Sequence, residues 1–401
     1  MAYQNIVLLS AFILIYSVFA GRLESRWVNG ALLFMLVGIL IGPVALDALQ
    51  LPIRGLGIRI IAELTLAIVL FTDAANANLQ VLRTFSWVPK RLLLIGLPLC
   101  LLLGWGFGLL IFPDMPWLEV AILATILAPT DAALGKAVIT NPAVPEPIRE
   151  GLNVEGGLND GICVPLLFIL LAIVVPTELG QSTLTHSLLL TFEEIGIGLL
   201  VGVGLAYISV ALMKIAIKNK WSSPLWDQLT LTSLAILAFS MAQHFGGSGF
   251  IAAFICGLIV GRLLGEHKHT YLKSSEGYAD LFSVIIWILF GAIVITNTWA
   301  YFSWNTWAYA IASLTIIRMV PVWLSLWGTS LSNESRLFIG WFGPRGLASI
   351  VFGVIVFQHE VVEKEQVVAT VVATVLLSVV LHGLTANPWV ARLRKQAALN
   401  N

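Results

Sequence analysis

A chain of 401 residues that is 58% apolar and 11% charged, with no net charge and a mean hydropathy of +0.93, lies far from the make-up of a soluble domain, which is roughly half apolar and one quarter charged. That balance predicts an integral membrane protein and excludes a nucleic-acid partner, which would call for a basic surface. Cys100, Cys163 and Cys256 all fall in apolar runs, so neither a disulfide framework nor a Cys-x-x-Cys metal site is expected.

Continuous apolar runs, each able to cross about 30 Å of hydrocarbon, predict an all-α polytopic membrane protein rather than a β-barrel. Bounded by charges, turns or polar clusters, the runs fall at 5-21, 29-46, 58-75, 92-112, 117-137, 150-175, 188-216, 227-244, 247-264, 280-297, 306-328, 336-357 and 366-387, thirteen in all. The first follows a terminus without Lys or Arg and has no small-residue cleavage pattern after it, so it reads as a retained span rather than a signal peptide. Basic residues favour cytoplasmic loops. They gather in and beside the loops after odd-numbered spans, as with Arg22/Arg26, Arg83/Lys90/Arg91 and Lys214/Lys218/Lys220, and again in the tail at Arg392, Arg394 and Lys395. The N-terminus is therefore expected outside and the C-terminus in the cytoplasm, in a bacterial-type plasma membrane.

An odd span count allows two inverted six-helix repeats within one transporter domain, 1-401. Spans 1-6 occupy 1-187 and spans 8-13 occupy 227-401, with span 7 in 188-226 as the link. Such repeats typify secondary transporters, whose substrates bind at mid-membrane beside interrupted helices. Span 5 contains Ala128-Pro129-Thr130-Asp131, and its counterpart span 12 contains Gly343-Pro344-Arg345-Gly346. Proline removes a backbone donor and glycine loosens the helix, so both spans are expected to be discontinuous and to free main-chain groups for an ion.

Polar side chains at this depth are the candidate site. Asp160 follows Asn159 in an apolar run, and an intramembrane carboxylate normally faces a cavity, a partner or an ion. Desolvation disfavours the charged form of a carboxyl group, which lets such a residue trade a proton for a cation near neutral pH. The bland alternative is a helix cap at the cytoplasmic interface. Glu155 lies four residues before Asn159 on the same helix face and neighbours the site. Among the 22 basic residues only Arg318 and Arg345 fall well inside spans. Arg345 is the expected structural partner of Glu155, a direct ligand role for Glu155 being the alternative, and Arg318 is a second buried base. Asp131 either ligates the ion or balances Arg318, while Thr130 is favoured as a ligand. Asp73 and Glu63 read as interfacial residues, and Gly246-Gly-Ser248-Gly249, which brushes a serine-protease motif, reads as a turn.

Thr130-Asp131 on an interrupted fifth span, Glu155 with Asn159-Asp160 on the sixth and Gly343-Pro-Arg345-Gly346 on the twelfth together resemble the NhaP-type branch of the monovalent cation:proton antiporters, over essentially the whole chain. The resemblance implies a six-helix core with spans 5 and 12 crossing, which moves against a dimerisation domain in a homodimer. It implies that Asp160 carries cation and proton in competition and that Thr130 contributes a ligand to the Na⁺ or K⁺. Asn159 would orient the site, and Glu155 and Arg345 would form the buried pair. Gly156 departs from the pattern, since many relatives carry Ser there. With Glu155 neutralised, one exchangeable carboxylate predicts electroneutral exchange of one cation for one proton. No cofactor is expected: GxxxxGK[ST] is absent, so ATP is not implied, and HExxH is absent as well. A cation channel is the rival class, and an enzyme is not expected.

Overall fold

The computed structural model describes residues 2–23, 29–49, 56–77, 87–132, 134–139, 141–174, 184–221, 223–265 and 268–399. Arg26 and Arg83 of the charge pattern lie outside them. The described residues are helical with no strand among them, as a chain without water to satisfy its main-chain groups requires. In chain order the helices are α1 (Ala2–Leu23), α2 (Gly30–Ile41), α3 (Leu56–Asn76), α4 (Trp87–Ile111), α5 (Trp117–Ile126), α6 (Lys136–Ile139), α7 (Glu146–Val174), α8 (Leu184–Lys218), α9 (Pro224–His244), α10 (Gly249–Leu264), α11 (Lys268–Leu289), α12 (Ile295–Thr298), α13 (Trp304–Leu314), α14 (Ile316–Ser325), α15 (Asn333–Trp341), α16 (Leu347–Gln358) and α17 (Lys364–Leu399). Among the described residues, seven helical segments are long and apolar enough to cross a membrane.

Local chemistry sets the ends. Asn29 starts α2 by accepting from the Ala31 amide at 3.1 Å, and Gly42-Pro43 stops that helix at Ile41, short of the expected 46. Ser303 and Thr306 close a reciprocal capping box at the start of α13. The last helix runs past 387 to Leu399, through a polar segment where Arg392 meets Glu334 of α15 at 3.0 Å. α11 likewise begins at Lys268, upstream of its apolar run.

Two compact units divide the chain. The first comprises residues 1–59, 85–156 and 283–401, and the second comprises 60–84 and 157–282. This is a division by compactness, and it interleaves along the chain rather than following the halves 1-187 and 227-401. In the first unit α5 gives way to non-helical residues 127–132 and 134–135 before α6, and α15 gives way to another such stretch, 342–346, before α16. α17 packs along both α13 and α16, and Ile148, Val322, Phe338, Ile339 and Val390 form part of a buried apolar cluster in this unit. In the second unit α8, α9 and α10 pack on one another. Large apolar side chains stay exposed on outward faces, for instance Leu110 on α4 and Leu200 on α8, as expected where the surrounding solvent is lipid.

Candidate functional site

Both expected interruptions are present, and within the first unit they are tied to each other. The amide of Asp131 donates to the Pro344 carbonyl at 2.8 Å, so the two non-helical stretches share a main-chain bond. The Asp131 carboxylate accepts from the Leu347 amide at 2.8 Å through Oδ2 and from the Leu134 amide at 3.0 Å through Oδ1. Leu347 is the first residue of α16, so Asp131 caps that helix from another segment of the chain and places negative charge at its positive end. In return, Nη1 of Arg345 donates to the carbonyls of Ala128 and Pro129, both at 3.0 Å, and Ser349 Oγ donates to the Ile126 carbonyl at 2.9 Å. Main-chain groups freed by each break thus find partners on the other. The exchange leaves no room for side chains at two positions: a Cβ at Gly346 would collide with Asp131 Oδ2, and one at Gly343 would collide with Arg318 Nε.

Glu155 has a different partner from the one the sequence suggested. Its carboxylate is gripped by both terminal nitrogens of Arg318, Nη1 to Oε1 at 2.6 Å and Nη2 to Oε2 at 2.7 Å, with both side chains almost fully buried. Arg318 reaches this position from α14, which begins after the helix breaks at Thr315. Arg345 instead turns its guanidinium to the carbonyls of span 5. The physical reason lies in local direction: residues 343–346 are non-helical, and this backbone aims the Arg345 side chain at the freed carbonyls of Ala128 and Pro129. Asp131 is engaged by two amides, and the Arg318 charge that it was offered to balance is met by Glu155.

Thr130 is buried within the interrupted stretch of span 5. Gly156 lies against that stretch: a Cβ there would sit 2.9 Å from Ala132 Cβ and 3.3 Å from the Thr130 carbonyl oxygen. A serine at 156 would therefore crowd Ala132. Asn159 and Asp160 lie on α7 in the second unit and are both buried. Ser248, considered as a nucleophile, is the N-cap of α10 and accepts from the Ile251 amide at 3.4 Å.

Two groups were not foreseen. Glu119, in the first turn of α5, accepts from the amides of Val362 and Glu363 at 3.0 and 2.9 Å and so secures the chain entering α17. His382 on α17 is buried and contacts Ser378 and Trp341. The signal for His382 was available as a polar stripe at 366, 370, 374, 378 and 382, a four-residue period in an apolar run.

Interrupted helices bonded across their breaks, a buried ion pair and a buried carboxylate on an apolar helix define the class as an integral membrane protein of the broken-helix type. A family described as sodium/hydrogen exchanger, transmembrane, matches residues 8–392. The chain belongs to that family. Similar curated proteins include the K⁺/H⁺ antiporter NhaP2 of Shewanella baltica, 24% identical over 88% of this chain and 60% of its own length. The low-affinity Na⁺/H⁺ antiporter NhaS1 of Synechocystis is 26% identical over 90% of this chain and 68% of its own. The chain thus spans about 60% of the length of the NhaP2 relatives. The fold matches the solved sodium proton antiporter MjNhaP1 of Methanocaldococcus jannaschii with a TM-score of 0.78, at 19% identity, over 98% of this chain and 99% of that one.

Proposed function

We propose that this protein exchanges a monovalent cation, Na⁺ first among them, for H⁺ across a bacterial-type plasma membrane, by alternating access through thirteen spans arranged as two inverted repeats. Asp160 binds cation and proton in competition, Thr130 supplies a further ligand and Asn159 orients the carboxylate; these three roles stand on the sequence motif. The observation that carries the reading is the commitment of the other motif carboxylates. Glu155 is neutralised by Arg318 and Asp131 is held by two amides, which supports Asp160 as the exchangeable group. One such group per cycle gives one cation for one proton and moves no net charge. The distribution of Lys and Arg supports an outside N-terminus and a cytoplasmic C-terminus, and family resemblance supports a homodimer.

The test uses inside-out vesicles loaded with a quenched pH dye and challenged with Na⁺, K⁺ and Li⁺. Cation-driven dequenching is expected for the wild type and is expected to vanish in Asp160→Asn, with no signal from a membrane-potential dye. Full activity in Asp160→Asn would remove that residue from its role. Sustained current without proton movement would point to a channel.

A further inference from the structure

The polar stripe of α17 divides into two parts. Thr370 and Thr374 turn their hydroxyls back onto their own helix, at 2.8 Å to the Gln366 carbonyl and 2.7 Å to the Thr370 carbonyl, as lone hydroxyls in apolar helices commonly do. Ser378 and His382, one and two turns further on, reach out to another segment. Ser378 Oγ accepts from the amide of Arg345 at 2.7 Å, and His382 Nε2 lies 2.8 Å from the carbonyl oxygen of Trp341. Trp341 ends α15 and Arg345 sits in the non-helical stretch that follows, so the two bonds hold the interruption at both sides. The next polar residue of α17, Thr385, accepts from the Trp341 indole at 2.9 Å.

Two carbonyls face the ring. Nε2 faces the Trp341 carbonyl and Nδ1 lies 2.8 Å from the carbonyl oxygen of Ser378; a carbonyl only accepts, so a ring nitrogen bonded to one carries the hydrogen. Ser378 Oγ, which accepts from the Arg345 amide, lies 3.1 Å from the same Nδ1. The contacts therefore run from the Arg345 amide through Ser378 to the His382 ring and on to the Trp341 carbonyl. The ring is also covered by Trp341 at 5.2 Å and Phe342 at 6.3 Å between centroids. The side chain of the same Arg345 holds the carbonyls of Ala128 and Pro129, the two residues before Thr130.

We propose that Ser378 and His382 form a clamp that fixes the interruption of span 12 and, through Arg345, sets the position of the Thr130 segment for cation binding. Both are positioning residues. The proposal rests on the exchange reading above and extends it to α17, a helix that carries none of the motif residues.

Ser378→Ala removes the acceptor of the Arg345 amide and the hydroxyl beside Nδ1 in one step. In vesicle assays it is expected to raise the KM for the cation about tenfold, the value of one buried hydrogen bond, with the maximal rate within about twofold. Ser378→Thr keeps the hydroxyl and restores the KM. His382→Ala acts in the same direction, and the double variant Ser378→Ala/His382→Ala is no worse than the more affected single one, because the two residues work as a unit. Hydrogen exchange of the peptide spanning 342–347, measured on purified protein, is expected to speed up in Ser378→Ala irrespective of transport. An unchanged KM with unchanged amide protection, in a wild type that does transport, would overturn the clamp. So would a lower maximal rate at unchanged KM, equal in the Ala and Thr variants, because that pattern reports general loosening. A wild type that moves no cation would overturn the exchange reading instead, and the amide protection would then decide the clamp alone.

Discussion

Arg318 and Glu155 allow a quantitative test of what the buried pair contributes. Both side chains are at most 2% exposed and meet through two charge-assisted bonds of 2.6 and 2.7 Å. Truncating either one strands the other charge in a dry environment, which costs about 3–5 kcal/mol in comparable buried pairs. Replacing both with apolar side chains of similar volume abolishes the desolvation penalty together with the attraction, and such replacements run from neutral to stabilising by about 1–4 kcal/mol. Arg318→Met and Glu155→Leu are therefore each expected to destabilise by about 3–5 kcal/mol, while the double variant stays close to the wild type. SDS titration of the purified protein in mixed micelles, followed by tryptophan fluorescence, gives all four corners of this cycle. Single variants within about 1 kcal/mol of the wild type, or a double variant as unstable as the sum of the singles, would refute the account.

Asp131→Asn retains one acceptor oxygen where the carboxylate used two, so one of the Leu347 and Leu134 amides loses its partner; a loss of about 1–3 kcal/mol is expected in the same titration. Gly346→Ala places a methyl group onto Asp131 Oδ2 and is expected to abolish cation-dependent proton movement and to lower the yield of monodisperse protein. Gly353→Ala, whose added Cβ would meet Val371 Cγ1 at an ordinary 3.6 Å, is expected to behave as the wild type in both assays.

Much of this arrangement was legible in the sequence because it follows from one-dimensional physics. Hydrophobic length marks helices in a chain of this composition, and Pro129 and Gly343-Pro344 mark where two of them stop. The cost of a charge in hydrocarbon singled out Glu155, Arg318 and Arg345. Partnership was harder. Glu155 and Arg318 are 163 positions apart, and choosing between two arginines required the course of the chain at 342–346, where helical periodicity gives no guide. The break at Thr315 left no glycine or proline to announce it. His382 escaped notice because a single histidine in an apolar run resembles a tolerated core residue; only the spacing of its hydroxyl neighbours marks it.

The two glycines at the span 12 interruption have a consequence for how this sequence can vary. At Gly346 the space that a side chain would need is already filled by the carboxylate of Asp131, and at Gly343 it is filled by the guanidinium of Arg318. Volume at these crossings is thus shared between positions far apart in the chain. A side chain can be added at 346 only if one is withdrawn at 131, and at 343 only if one is withdrawn at 318. Substitution at each glycine is therefore coupled to the loss of a specific charge, and a library that randomises 131 with 346, or 318 with 343, should return its viable members as compensating pairs.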